Sequence, residues 1–139
     1  MTPSSRVVLG IDPGWMRCGL AVCDVAGVRV RAIVSPEEIP RLVADWQARY
    51  GVTEVVMGNR TGSELLMTAI SFLTVPLFAV DEHGTTLRAR ARYFMDHPPR
   101  GWRRLVPKGL RIPPEPYDDY VAILLAETAL AVPEHDGVD

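Results

Sequence analysis

The stretch LGIDPGWMRCGLAVCD, residues 9–24, ends one apolar run on an acid, turns through Pro13 and Gly14, and resumes as a second apolar run. The first run, RVVLGID at residues 6–12, is rich in β-branched residues and reads as a central strand stopped by a turn. Asp12 therefore stands at a strand end. The second run, CGLAVCD at residues 18–24, and a third, VRVRAIVS at residues 28–35, are divided by Ala26 and Gly27. In the third, Val28, Val30 and Ala32 alternate with Arg29 and Arg31, so the three runs predict an antiparallel meander.

The chain then changes to α/β alternation. SPEEIPRLVADWQARYG, residues 35–51, has Ser35 as candidate N-cap, Pro36 at the first helical position, two acids in the first turn and Gly51 past the end. A short buried strand is predicted at residues 53–58, a helix at residues 63–73, a buried strand at residues 75–82 and a helix capped by Thr85 or Thr86. Residues 97–116, rich in Pro, Gly and Arg, predict a long loop of the kind that tends to be functional or disordered. DDYVAILLAETALA, residues 118–131, closes the fold as an apolar helix. The expected architecture is α/β: a mixed five-stranded sheet, with the meander joined to two parallel strands and helices on both faces.

At 139 residues the chain predicts one domain spanning residues 1–139, with a frayed tail at residues 133–139. Its 47% hydrophobic and 23% charged residues suit a soluble globular protein, and no apolar run approaches the roughly 18 residues of a membrane span. MTPSSR lacks the basic region and apolar core of a secretory signal, so a cytoplasmic location and no membrane partner are expected. Cys18 and Cys23 lie five apart on one strand and face opposite ways, which argues against a mutual disulfide. None of the three histidines has zinc-ligand spacing to a cysteine.

Three carboxylates fall at element ends: Asp12 after the first strand, Glu82 after the last, and Asp118 or Asp119 at the start of the last helix. Ligands of open α/β sheets bind outside the carboxyl ends of the strands, where such acids converge if the strands are neighbours. Clustered carboxylates repel unless a cation lies between them, and oxygen-only ligands favour Mg²⁺ or Mn²⁺. A pair of such ions drives in-line attack of water on a phosphodiester. Each acid also has a plainer reading: Asp12 fixes a turn, and Asp118 and Asp119 cap a helix and complement its dipole.

These residues resemble the YqgF family, also called RuvX or pre-16S ribosomal RNA nuclease, of the RNase H-like superfamily. Three blocks carry the resemblance. They are Asp12-x-Gly14 with Gly19-Leu20-Ala21-Val22 and Asp24; Val80-Asp81-Glu82 with Thr85, Thr86 and Ala89; and Asp119-x-x-Ala122. The resemblance implies an RNase H-like fold. It also implies that Asp12, Glu82 and Asp119 are the metal-binding catalytic acids of a phosphodiester hydrolase, with Asp118 as second choice. Two departures stand out. Asp12-Pro13-Gly14 looks more like the RuvC resolvases, and His83 replaces the arginine that follows Asp-Glu in the family.

The net charge of −2 conceals an asymmetry: residues 88–111 carry eight cations against Asp96 alone, an excess of seven. Arg88, Arg92, Arg100, Arg103, Arg104, Lys108 and Arg111 are the expected contacts to a nucleic acid, with Trp102 either stacking on an unpaired base or anchoring the loop. Asn59 and Arg60 follow the fourth strand on the expected site edge. The expected partner is structured RNA or branched DNA, bound by a monomer or homodimer; Leu65, Leu66, Met67, Ile70 and Phe72 read as core or interface. The resemblance to YqgF implies precursor 16S ribosomal RNA as the expected substrate, with a Holliday junction as the alternative kept open by Asp12-Pro13-Gly14; a resolvase acts as a dimer because it cuts two strands symmetrically. A non-catalytic nucleic-acid binder is the competing class. An actin-like kinase or ATPase, suggested by Gly10-Ile11-Asp12-x-Gly14, needs two lobes for which this chain is too short.

Overall fold

The apolar run before Asp12 is the middle strand of a five-stranded sheet. The computed structural model describes residues 6–59, 62–81, 85–107 and 113–132, with all their side chains except those of Thr86 and Arg103. β1 (Val8–Asp12) is buried at every position, as an apolar run without alternation requires. β2 (Cys18–Asp24) pairs antiparallel with β1, and β3 (Gly27–Val34) antiparallel with β2, completing the meander. β4 (Glu54–Gly58) lies parallel to β1 on its other side, and β5 (Leu77–Val80) parallel to β4, giving the order β3-β2-β1-β4-β5.

One face packs on α1 (Ile39–Tyr50) and α2 (Ser63–Ala69), with Leu9, Ile11 and Leu20 meeting Val43, Trp46, Leu66 and Ile70. The other carries α4 (Asp118–Ala131), on which α3 (Thr85–Asp96) packs; Val8, Ala21 and Val56 meet Ala122, Ile123 and Ala126 there. Because α4 is sandwiched between sheet and α3, it is apolar almost all round. Cys18 and Cys23 are both buried and unbridged and lie in opposite cores, as their spacing predicts. Burial pushes the Cys23 thiol up to about 12, which leaves it protonated and unreactive.

Several boundaries differ from expectation. Pro36–Glu38 forms a 3-10 turn ahead of α1 and Ser35 makes no side-chain cap, because Pro40 has no N–H to return to Pro36 and the turn closes from the Glu38 amide to the Ser35 carbonyl at 3.0 Å. Gly51 ends α1 in the left-handed conformation, as predicted. α2 stops at Ala69, short of residue 73, so that the chain can turn back to Pro76, whose carbonyl accepts from the Val55 amide at 2.9 Å. β5 is shorter than residues 75–82 and is not a buried strand: it has one sheet neighbour, α3 packs on α4 instead, and Phe78 is left exposed. Residues 101–105 of the predicted loop form a 3-10 turn, and the predicted tail lies outside the described residues. Leu66 and Ile70 are core, whereas Leu65 and Phe72 are exposed.

Candidate active site

β1, β4 and β5 run parallel and side by side, so their carboxyl ends share one edge of the sheet. Asp12 ends β1 there. Gly58 and Val80 pair at the ends of β4 and β5, the Asn59 amide donates to the Val80 carbonyl at 2.9 Å, and Asp81 follows on the same edge. Glu82, His83, Arg60, Lys108 and Arg111 lie outside the described residues.

Alternation along β1 sends Leu9 and Ile11 toward α1 and Val8 toward α4, so Asp12 belongs to the α4 side, where it is only 2% exposed. Its partner across β2 is Gly19, and Gly19 lies so close to the backbone carbonyl of Asp118 that a β-carbon has no room. Gly10 meets the Ala122 carbonyl in the same way. Two glycines on adjacent strands thus seat the start of α4 directly on the sheet, beside Asp12. The Cys18 thiol senses this neighbourhood: burial raises it, its bond with the Gly14 backbone lowers it, and Asp12 and Asp118 raise it further.

Asp118 and Asp119 occupy the first turn of α4, after Tyr117 at the N-cap, which makes no side-chain cap. Asp119 accepts from the Tyr120 amide through Oδ1 at 3.0 Å, and its Oδ2 lies 3.1 Å from Arg31 Nε. Burial raises the Asp119 carboxyl above the ordinary carboxylate range; Arg31 and the backbone amides oppose this, while Asp118 adds to it. Asp118 Oδ2 accepts from Arg17 Nε at 2.7 Å in a more exposed pair.

Arg31 and Arg17 did not stand out in the sequence as site residues. Arg31 pairs with Ala21 on the α4 side of the sheet, and its guanidinium lies 4.9 Å over the Tyr120 ring. Arg31 Nη1 also donates to the Tyr120 hydroxyl at 3.3 Å, and that hydroxyl donates to Asp96 Oδ2 at 2.9 Å. These bonds tie β3, α4 and the end of α3 around Asp119. The only local hint was the Arg29/Arg31 alternation, which has the pattern of a solvent face.

Asp12, almost wholly buried, and Asp119, where burial disfavours the charge, offer hard oxygen donors of the kind that suits Mg²⁺ or Mn²⁺. Among the described residues, which omit Glu82, no three His, Cys, Asp or Glu side chains form a metal-holding group. Both acids are of the oxygen-donor type that Mg²⁺ and Mn²⁺ prefer, and Glu82 is the third expected donor by sequence.

The basic residues divide into two groups. Arg88 Nη2 donates to Thr128 Oγ1 at 3.2 Å, and Arg92 pairs with Glu127 at 2.8 Å. Both lie against the second half of α4, eight or nine residues past Asp119, roughly 12–14 Å along the helix at about 1.5 Å per residue. α3 runs antiparallel to α4, so the start of α3 meets the end of α4. The same antiparallel arrangement brings the end of α3 to the start of α4, where Tyr93 and His97 pack against Tyr120. Arg100, Trp102 and Arg104 follow from there; Trp102 is 71% exposed, and Arg104 Nε donates to the Gly101 carbonyl at 3.4 Å.

Against solved structures, the chain matches Thermus thermophilus RuvC in complex with a Holliday junction substrate, with a TM-score of 0.59 and 22% identity over 90% of this chain and 93% of that one. A second Thermus thermophilus RuvC structure gives 0.58 and 20%, covering 89% and 93%. The fold is RuvC-like. At these identities the likeness to RuvC is one of fold, and it spans nearly the whole of both chains. No protein-family model and no curated protein sequence matches the chain. In this RuvC-like chain no described helix is long and apolar enough to cross a membrane.

Proposed function

We propose that this chain is a divalent-metal-dependent nuclease that hydrolyses phosphodiester bonds in structured nucleic acid. The observation that carries this reading is the buried Asp12 carboxylate at the carboxyl end of the central strand, on the side where Gly19 lets Asp119 approach. Burial disfavours the ionised Asp119 carboxylate, and the neighbouring Asp118 adds to that cost. A cation reverses that cost.

In this reading Asp12 and Asp119 hold the metal, with Glu82 as the third ligand. When bound, Mg²⁺ or Mn²⁺ supplies the charge that activates water and stabilises the leaving oxygen. Arg31 braces the Asp119 carboxylate from β3, and Arg17 holds Asp118 aside. Arg100 and Arg104, beyond the end of α3, offset the repulsion between the acids and a phosphate backbone.

Branched DNA is the favoured substrate, on the strength of the Asp12-Pro13-Gly14 turn and the RuvC-like fold, one of whose representatives holds a Holliday junction. Cleavage of a junction in two strands calls for a homodimer. Precursor 16S ribosomal RNA is the second reading, supported by the Asp81-Glu82 and Thr85-Thr86 block. The deciding experiment is cleavage, with Mg²⁺ or Mn²⁺, of a four-way DNA junction, a precursor ribosomal RNA end, single-stranded RNA and single-stranded DNA, each beside Asp12→Asn. Symmetric junction nicking that disappears in the variant supports the resolvase; RNA cleavage that disappears supports the second reading. Binding without cleavage of any substrate would make the protein a non-catalytic nucleic-acid binder.

A further inference from the structure

We propose that Trp15, on the turn between β1 and β2, is a platform on which a nucleobase beside the scissile phosphate stacks, selecting nucleic acid with an unpaired base at the cut; this rests on the nuclease reading. Trp15 and Met16 are adjacent and exposed, at 70% and 84%. This fold buries a tryptophan where it serves the core, as Trp46 on α1 demonstrates. Trp15 is instead held out in water three residues after the most buried acid of the candidate site.

The turn that carries it is pinned at both ends. The Gly14 amide donates to Cys18 Sγ, and Cys18 Sγ donates back to the Gly14 carbonyl, both at 3.4 Å. Gly14 also lies too close to the Arg17 carbonyl to accept a β-carbon. Arg17 is tied to Asp118 at 2.7 Å. Trp15 and Met16 thus stand on a short bracket between the strand that carries Asp12 and the start of α4.

The reach and the chemistry agree. Three residues span at most roughly 10 Å between α-carbons, about three base steps of a strand that rises 3.4 Å per nucleotide. An exposed indole on the same turn as a cation, here Arg17 two residues on, is a combination that holds single-stranded nucleic acid, by stacking on a base while positive charge lies near the backbone. In an intact duplex each base face is already covered by its neighbour. An unpaired base at a fork or crossover has a free face for the ring.

The test is fluorescence anisotropy with the full chain and Ca²⁺ in place of Mg²⁺ to hold cleavage off. The probes are a labelled four-way DNA junction with two unpaired thymidines at the crossover and an uninterrupted duplex of the same sequence. Trp15→Ala is expected to weaken junction binding about tenfold, the size of one base stack. Trp15→Phe should restore most of it, duplex affinity should change less than about twofold, and Phe72→Ala, on another surface, should change neither. Equal junction affinity of wild type and Trp15→Ala, or an equal loss on both probes, overturns the assignment of Trp15 alone. If the wild type binds neither probe, the nucleic-acid reading falls and the Trp15 platform with it. Melting curves of each variant exclude a folding defect as the cause of a loss.

Discussion

Gly19 lies against the backbone carbonyl of Asp118 with no room for a β-carbon, and its strand partner is Asp12. The site is thus assembled by the absence of a side chain. Gly19→Ala must push the start of α4 off the sheet. We expect it to cost about 1–3 kcal/mol, as overpacked core substitutions do, and to lower metal affinity by more than the loss of stability explains. Chemical denaturation and Mn²⁺-dependent melting measure the two effects separately; an unchanged denaturation midpoint would show that α4 is not seated on this glycine.

The acid that Gly19 brings in has its own pH signature. Burial raises the Asp119 carboxyl above the ordinary carboxylate value of 3.8, more than Arg31 and the backbone amides lower it. The folded state therefore binds the Asp119 proton more tightly than the unfolded chain does. Its favourable contribution to stability is complete below the unfolded value and is lost as pH rises through the folded one. Without metal, Asp119→Asn should gain stability relative to wild type as pH rises from about 4 toward neutrality. With Mn²⁺ the order should reverse, because only the ionised wild-type carboxylate binds the ion. Arg31→Met, which removes the cation that lowers Asp119, should carry its titration further upward. Melting temperatures of the three proteins against pH, with and without Mn²⁺, test both parts.

What could be read from the sequence is what depends on neighbours along the chain. RVVLGID followed by Pro-Gly placed Asp12 at the end of a buried strand, and the Val/Arg alternation of residues 28–32 placed β3 in the meander, because strand burial leaves a local pattern. Glycine and proline marked most element ends for the same reason. The partners of the acids left no such trace. Arg31 and Asp119 meet only because β3 and α4 lie on one side of the sheet, a tertiary fact between residues 88 apart. The exposure of β5 likewise follows from where α3 docks, and β5 carries the same apolar residues as a buried strand. Arg88 and Arg92 were readable as one helical face, but which side of α4 that face meets was decided by the antiparallel packing of α3.

That packing separates two kinds of arginine that sequence alone placed together. Arg92 faces Glu127 in a partly buried pair at 2.8 Å, and the carboxylate holds its charge strongly in place. Arg100 and Arg104 are exposed, on the chain that leaves the end of α3. Removing one cation that neutralises a phosphate of duplex DNA should reduce the slope of log binding constant against log salt by about 0.9. Arg100→Ala with Arg104→Ala should therefore flatten the salt dependence by up to about twice that amount and weaken binding most at low salt. Arg92→Ala should leave the slope alone and lower the melting temperature, since it takes a partner from Glu127 and nothing from a phosphate. Titration of a labelled four-way junction at several salt concentrations decides between them: a slope that falls in Arg92→Ala and stays in the double variant would move the binding face to the far half of α4.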